Sequence, residues 1–475
     1  MSRLVDEERI LSSSTCDAIA ARVFGMARGG GETVVSILSW WNGEQRWARN
    51  SVSLASDRRD VRITITRIAD GGPGWVGTNQ IDDISLEAAV RAAERNGLLE
   101  TAVVRPTAIQ PPMPVLARPR TMCWSDATFN VATEARAELA HAMVSAAEAK
   151  GMMSAGYMEV RAGAVARISS ARVGQPAAPW DIPYLSWTQA QCSTTVRSPE
   201  GNASGWAGLS GADWTTIDAP ALGARALEKC LASQNPVVLE PGRYTLILEP
   251  QAVADLFEIV VGNLDRESAE QGQGPWALTQ DEVLDLWRTK LGLKVVDSRI
   301  TVTHDPGDPQ LGIIPTPWME PVTWIDRGVL TSLAYARDYA LAKLNQNTPH
   351  RGMIGYRMSG GETSIDEMIS TTTRGLLVTR LSDVMVLDGA SLLGTGLTRD
   401  GLWLIEHGKI SKAVKNLRFT ESPLFALNNI EQLGASVPVF RPVKDPYETG
   451  APLTPAIVPS IKVRDFSFTS TVDAI

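Results

Sequence analysis

One junction constrains this chain more than any other stretch: the apolar run Tyr244 to Glu249 passes without a spacer into Pro250 and a helix-patterned segment. Proline suits the first turn of a helix, where its missing N–H is not needed and its fixed φ is already helical. Ala252-Val253, Leu256-Phe257 and Val260-Val261 then recur as apolar pairs every four residues, which predicts a helix from Pro250 to Asn263 with one apolar face. That face must pack against something.

The chain is 475 residues long, more than one hydrophobic core usually serves. Two domains are expected, 1–235 and 236–475, with the boundary in the Pro236 and Pro241-Gly242 turns. Apolar residues make up 44% and charged residues 21%, which fits a folded chain and excludes a disordered one. The net charge of −8 comes from basic and acidic residues mixed along the sequence, with no Lys/Arg block. A nucleic-acid partner is therefore not expected. No apolar run reaches the roughly 18–20 residues of a membrane span. The first residues, with Asp6, Glu7 and Glu8, do not resemble a signal peptide. Cys16, Cys123, Cys192 and Cys230 form no CxxC pair and read as reduced core thiols. The expected compartment is the cytoplasm.

Periodicity predicts a helix within 7–28, then strands at Thr33–Trp41 and Gln45–Leu54 joined by an Asn42-Gly43 hairpin turn. A third strand runs through Val61, Ile63 and Ile65, a short piece covers Trp75 to Asn79, and a helix opens at Ser85. Pro106 to Pro119 mark a stiff extended connection. Helices are expected at 131–150 and 219–232, with strands at 158–169 and 184–196 flanking a Gly/Pro-rich loop at 174–183. Further on, Ser364 and Glu367 have capping-box spacing, and His407-Gly408 is expected to turn a hairpin between Leu402–Glu406 and Lys409–Ala413. A helix should run from Ser422-Pro423 to Gly434, and Ile461–Thr469 should close the chain as a strand. The fold class is α+β, without regular βαβ alternation.

Chemistry is sparse. His141, His304, His350 and His407 form no HExxH-like pair, and His304-Asp305-Pro306-Gly307-Asp308 reads as a turn between strands. Gly389 to Gly396 lacks the spacing and the Lys-Ser/Thr ending of a phosphate loop, and no G-x-S-x-G elbow occurs. The residues alone define an α+β protein with no recognisable catalytic set.

The run Thr398 to Ile410 (TRDGLWLIEHGKI), followed by Val414-Lys415-Asn416-Leu417-Arg418-Phe419, resembles the "LIExGKI…PVKNLRF" ending of the TldD/PmbA family. Trp324 to Leu330 looks like that family's earlier "LIexGvL" hairpin, and Arg357 to Ser364 like its arginine-containing segment ahead of a late helix. The resemblance implies an N-terminal mixed α/β layer with antiparallel strands, a sheet-rich C-terminal domain, and dimers that enclose a peptide-accepting chamber. TldD-type members carry a HExxxH helix and a distant third ligand, usually cysteine, and are metallopeptidases. At the matching junction this chain has Pro250 and Asp255 in the two histidine positions and Gln251 in the glutamate position. Proline cannot ligate a metal, glutamine is no general base, and no cysteine follows Cys230.

The resemblance therefore implies the metal-free TldE/PmbA type, with no cofactor and Pro250, Gln251 and Asp255 as vestigial positions. Its partner would be a TldD-type subunit, or a second copy of itself, acting on unfolded or modified peptides. Arg357, Met358 and Ser359 are candidates for peptide contact. Two alternatives stay open: a homodimeric peptide-binding protein without protease activity, and an enzyme of a natural-product pathway using non-metal chemistry on the same fold. The second would require a convergent polar cluster that the fold alone can reveal.

Overall fold

The computed structural model describes residues 8–69, 72–100, 123–170, 182–281, 286–311, 320–346, 348–350, 352–441 and 455–472. It is an α+β structure built on two large sheets, as the periodicity indicates. The first half begins with α1 (Ser13–Met26), β1 (Glu32–Ala48), β2 (Ser51–Ala69), β3 (Gly72–Thr78) and α2 (Asp83–Glu100). It continues with α3 (Asp126–Asn130), α4 (Thr133–Glu148), β4 (Met153–Ser169), β5 (Ile182–Arg197), β6 (Ser204–Gly211) and α5 (Ala219–Ala232). The six strands lie in the order β3-β2-β1-β4-β5-β6, every neighbour antiparallel. Alternation puts Val35, Ile37, Trp41 and Trp47 of β1 on the face that buries Met158, Val160 and Ala162 of β4 beneath helices.

Asn42-Gly43 does not turn. β1 runs straight through it, and the hairpin turns at Arg49-Asn50, both left-handed with φ of 52° and 61°. Asn50 secures that turn, since its Nδ2 donates to Met152 O at 2.9 Å and its Oδ1 accepts from Ser154 N at 2.6 Å. Gly43 serves packing instead: a Cβ there would sit 1.6 Å from Nη1 of Arg136, whose guanidinium lies across the strand. β3 pairs with β2 only from Ile63 to Ala69, so among the described residues 51–60 of β2 have β1 alone beside them.

The second half holds β7 (Gly242–Leu248), α6 (Pro250–Val261), α7 (Arg266–Glu270), β8 (Ala277–Asp281) and β9 (Leu286–Thr289). Then come β10 (Val302–His304), β11 (Val322–Asp326), β12 (Val329–Leu330), β13 (Tyr356–Met358), α8 (Ile365–Ser370) and β14 (Arg374–Asp388). β15 (Leu393–Glu406), β16 (Lys409–Ala413), β17 (Leu417–Glu421), α9 (Pro423–Asn428), β18 (Ile430–Pro438) and β19 (Ala456–Thr471) complete the chain. The sheet order is β12-β11-β10-β13-β19-β17-β15-β14-β7, with β16 beside β15, and β18 beside β19. Because β19 also pairs with β7, the strands β7, β14, β15, β17 and β19 close on themselves as a barrel. The short strands β10 to β13 extend from β19 as a wing.

Several local expectations hold. Ser364 caps α8 by accepting from Glu367 N at 3.1 Å, and His407-Gly408 turns with φ of 51° and 74°. The helix expected up to Gly434 does not persist: α9 ends at Asn428, and Ile430 onwards pairs with β19 as β18. Gly434 is there for close approach, since a Cβ would meet Ser460 Oγ at 2.2 Å. His304 ends a strand, buried with Nδ1 2.9 Å from Gly355 O, and the turn follows it. β5 begins at Ile182, inside the stretch read as loop. The Pro106–Pro119 connection and residues 174–181 of that loop lie outside the described residues. All four cysteines are buried and unpaired in disulfides. Among the described residues no helix is long and apolar enough to cross a membrane.

Candidate functional site

The junction that shapes the C-terminal half also builds its most polar interior. β7 delivers the chain to Pro250 at the start of α6, and the apolar face of that helix (Ala252, Val253, Leu256, Phe257, Val260) packs across the barrel strands β14 and β19. With that face committed, Gln251, Asp255 and Glu258 fall on the other flank, one turn apart.

Gln251 is buried, and both ends of its carboxamide are used. Nε2 donates to Phe440 O at 3.1 Å and to Asp255 Oδ1 at 2.9 Å, while Oε1 accepts from Phe440 N at 3.1 Å. Asp255 accepts a second hydrogen bond at Oδ2 from Leu381 N at 2.9 Å. Its half-buried side chain holds a carboxyl enclosed by protein. Burial pushes the Asp255 pKa up to about 6, against the pull of the Leu381 N–H, the Gln251 amide, and the Arg380 and Arg441 guanidiniums. Pro250 contributes no donor atom. The Pro250, Gln251, Asp255 set therefore does not fit a zinc ion, which takes imidazole, thiolate and carboxylate ligands in tetrahedral array. Among the described residues no group of three or more His, Cys, Asp or Glu side chains is placed to hold a metal ion.

Around this pair other groups converge that sequence reasoning missed. Arg441 pairs with Glu258. Tyr356, at the start of β13, is fully buried against Phe257, ring centroids 5.2 Å apart, and its hydroxyl has no hydrogen-bond partner among the described residues. Burial raises the Tyr356 pKa, with Arg441, Glu258 and Asp255 all near enough to influence it. Arg380 of β14 binds Asp400 through Nε at 2.7 Å and stacks over Trp206 at 4.9 Å. No sequence signal marked Arg441 or Tyr356, because their partners lie far away along the chain. A weak signal existed for Glu258, seven residues after Gln251 on the same helical flank.

This cluster faces the first sheet. Phe440 packs edge-on against Trp206 and Tyr157, at 5.7 and 6.1 Å, and Ser210 of β6 is bracketed by the same segment. Its Oγ donates to Val439 O at 3.2 Å and accepts from Arg441 N at 3.0 Å. From Ser210 a row of buried polar side chains runs back across the sheet through Gln191 and Glu159 to Glu44, with Asn42 and Arg161 beside it. Burial raises the Glu159 pKa against the attraction of Arg161. A polar row buried on a sheet face is costly, so the two sheets meet across a polar interior.

The other sequence candidates lie nearby but point elsewhere. Arg357 binds Asp308 at 2.7 and 3.0 Å and Gln310 at 2.9 Å. Met358 is buried in β13, and Ser359 bridges Arg299 O and Thr301 N, both at 2.8 Å. The structure brings Pro250, Gln251 and Asp255 together, and keeps Arg357 to Ser359 one strand away.

Comparison with known proteins places this geometry. Residues 241–470 match the family described as the PmbA/TldA metallopeptidase C-terminal domain. No curated protein sequence matches the chain. Among solved structures, a proposed modulator of a DNA gyrase from Thermotoga maritima is similar with a TM-score of 0.76 at 16% identity, covering 95% of this chain and 100% of that one. TldE from Thermococcus kodakarensis is similar with a TM-score of 0.74 at 15% identity, over 97% of this chain and 100% of that one. A second proposed modulator of DNA gyrase, from Bacteroides thetaiotaomicron, gives 0.71 at 16% identity, over 96% and 98%. At such identities the likeness is one of fold. The chain thus matches the PmbA/TldA metallopeptidase C-terminal domain over residues 241–470 and shares its overall fold with these structures over nearly all its length.

Proposed function

We propose that this chain is a metal-free, TldE/PmbA-like subunit that works with a TldD-type metallopeptidase subunit on unfolded or modified peptides. In this reading 1–235 and 236–475 are its two domains, and it supplies half of a peptide-accepting chamber in the cytoplasm. The observation that carries it is the fate of the junction residues. Pro250 has no ligand atom, and Gln251 and Asp255 are spent on Phe440 and Leu381. A site locked into internal hydrogen bonds contributes shape instead of Lewis-acid chemistry. Of the candidates for peptide contact Met358 is buried, whereas Arg357 has an exposed edge, its side chain being 34% accessible.

Co-expression with the TldD-type chain of its own genome, followed by purification, tests this. A stoichiometric complex that hydrolyses a casein digest faster than the partner alone, and loses activity to a chelator, is the expected result. The chain alone should carry no stoichiometric zinc. One zinc per purified chain, or chelator-insensitive peptide cleavage by the chain alone, would overturn the assignment. Isolation as a peptide-binding homodimer indifferent to any TldD-type partner would favour a pure binding role.

A second reading has one specific support. Asp255, Glu258, Arg441 and the Tyr356 hydroxyl, which has no partner among the described residues, make up a convergent polar cluster of the kind that non-metal chemistry would need. Turnover of a modified peptide by the isolated chain, abolished by Tyr356→Phe with the fold intact, would establish that reading.

A further inference from the structure

The wing of short strands is held together around two imidazoles. β13 meets β10 and β19 through two residue pairs each, and β11 meets β12 through two, so side chains decide how firmly the wing sits on the barrel. His304 ends β10 and is 4% exposed, and its Nδ1–H donates to Gly355 O at 2.9 Å, the carbonyl just ahead of Tyr356. His350 is stacked between two rings, with centroids 4.9 Å from Trp324 of β11 and 5.4 Å from Tyr335. Backbone bonds fix it there: Tyr335 N donates to His350 O at 2.7 Å, and His350 N to Tyr335 O at 3.0 Å. The buried His350 Nε2 has no hydrogen-bond partner among the described residues. One imidazole thus ties β10 to β13, and the other fills a slot against β11.

Both places suit a neutral ring and penalise a charged one. A proton on each would put two cations into one buried cluster, with an N–H at His350 Nε2 that no described residue accepts. The flanking rings attract a cation by about 0.5–2 kcal/mol, less than the several kcal/mol that desolvating one costs. The carboxylates that bear on the pair are Asp305, beside His304, and the exposed Glu320. Asp308 is bound to Arg357 and Glu270 to Arg266, whose guanidinium lies 6.0 Å over Tyr335 and adds positive charge beside the stack. Burial lowers the pKa of both histidines, and His304 lowers that of His350 further.

We propose that His304 and His350 form an acid-sensitive latch, which holds the wing β10 to β13 closed on the barrel while both rings are neutral and releases it when they are protonated, uncovering the buried Tyr356. The sign follows from linkage. A histidine whose folded pKa lies below its ordinary 6.5 stabilises the closed state above that pH, and the contribution is lost as pH falls through the folded value. Asp255 acts in the opposite sense and stabilises the fold at acid pH, so the two responses are separable. The latch does not rest on the subunit role proposed above, and its test needs no partner chain.

Hydrogen exchange of the full chain, read by mass spectrometry and corrected for the intrinsic effect of pH, decides it. Between pH 7.5 and pH 5, protection across 302–304, 322–330 and 356–358 should fall roughly tenfold or more relative to β14 and β15. His304→Asn keeps a donor for Gly355 O, and His350→Phe keeps the stacked ring, so the double variant should stay closed at pH 5. If the double variant does not fold, His350→Phe alone should shift the opening to lower pH. Replacing the exposed His141 and His407 with Gln should leave the response unchanged. Equal protection at both pH values, a loss shared by β14 and β15, or opening unchanged in a folded His350→Phe protein would overturn the proposal.

Discussion

Gln251 holds Phe440 at both ends of one residue's backbone, donating to its carbonyl and accepting from its amide at 3.1 Å each. A side-chain amide here does what a neighbouring strand would do. Gln251→Glu keeps the shape but exchanges the donor for a second carboxylate beside Asp255 and the Phe440 carbonyl. When protonated, that glutamate can still donate. The variant should therefore be destabilised by roughly 2 kcal/mol at pH 8 and recover most of that at pH 5, read by chemical denaturation. A pH-independent loss would show that the amide donor is not what matters.

The helix that carries the cluster is anchored by its other face. Phe257 is 1% exposed against Tyr356, so Phe257→Ala should cost about 3–5 kcal/mol. Asp255→Ala removes a desolvated carboxyl but strands the Leu381 N–H, for a smaller cost of about 1–3 kcal/mol. The reverse ranking in thermal melts would make Asp255 the structural centre of the helix.

Asp255 also sets a pH dependence. Its folded pKa, about 6, lies above the ordinary aspartate value of 3.8, so the native state takes up its proton more readily than the unfolded chain. That contribution to stability is fully present below about pH 4 and is lost as pH rises through 6. Asp255→Asn removes the titration. The stability of the Asn variant relative to wild type should rise by about 2 kcal/mol between pH 4 and pH 7, part of the full shift being discounted for solvent contact. A flat difference over that range would mean the carboxyl stays ionised throughout.

The two halves are clamped by charge. Glu249, the residue before Pro250, accepts from Lys229 at 2.7 Å and Arg225 at 2.9 Å, both on α5. Burial lowers the Lys229 pKa, with Glu249 the main opposing influence. Glu249→Ala leaves a buried ammonium and should cost about 3 kcal/mol, whereas Lys229→Met with Glu249→Met should recover much of it. A double variant as unstable as the single one would mean the pair is not coupled.

Much of this molecule is legible in its sequence because local rules and tertiary structure agree. The apolar pairs of α6, the Ser364 cap and the His407-Gly408 turn all follow from residues within one or two turns of each other. The hairpin turn at Asn42-Gly43 and the long helix to Gly434 do not form, because distant partners decide both outcomes. Arg136 lies over Gly43 and Met152 with Ser154 grips Asn50, which moves the first hairpin turn; β19 recruits Ile430 onwards into the sheet, which shortens α9. The candidate site is half legible for the same reason. Gln251 and Asp255 share one helix, whereas Tyr356, Arg380 and Arg441 reach them from three other parts of the chain, and no spacing rule links those positions.

The partial cover of β2 by β3 has a consequence for how the protein behaves at high concentration. Along residues 51–60 the outer backbone groups of β2 have no neighbouring strand among the described residues, which makes that stretch a template for another chain. Val52 and Leu54 are exposed there and would reward such pairing. What stands against it is the exposed run Arg58-Arg59-Asp60, whose charges an incoming strand would have to bury. Resistance to aggregation is thus concentrated in one short charged run, and neutralising it would favour fibrous or amorphous association.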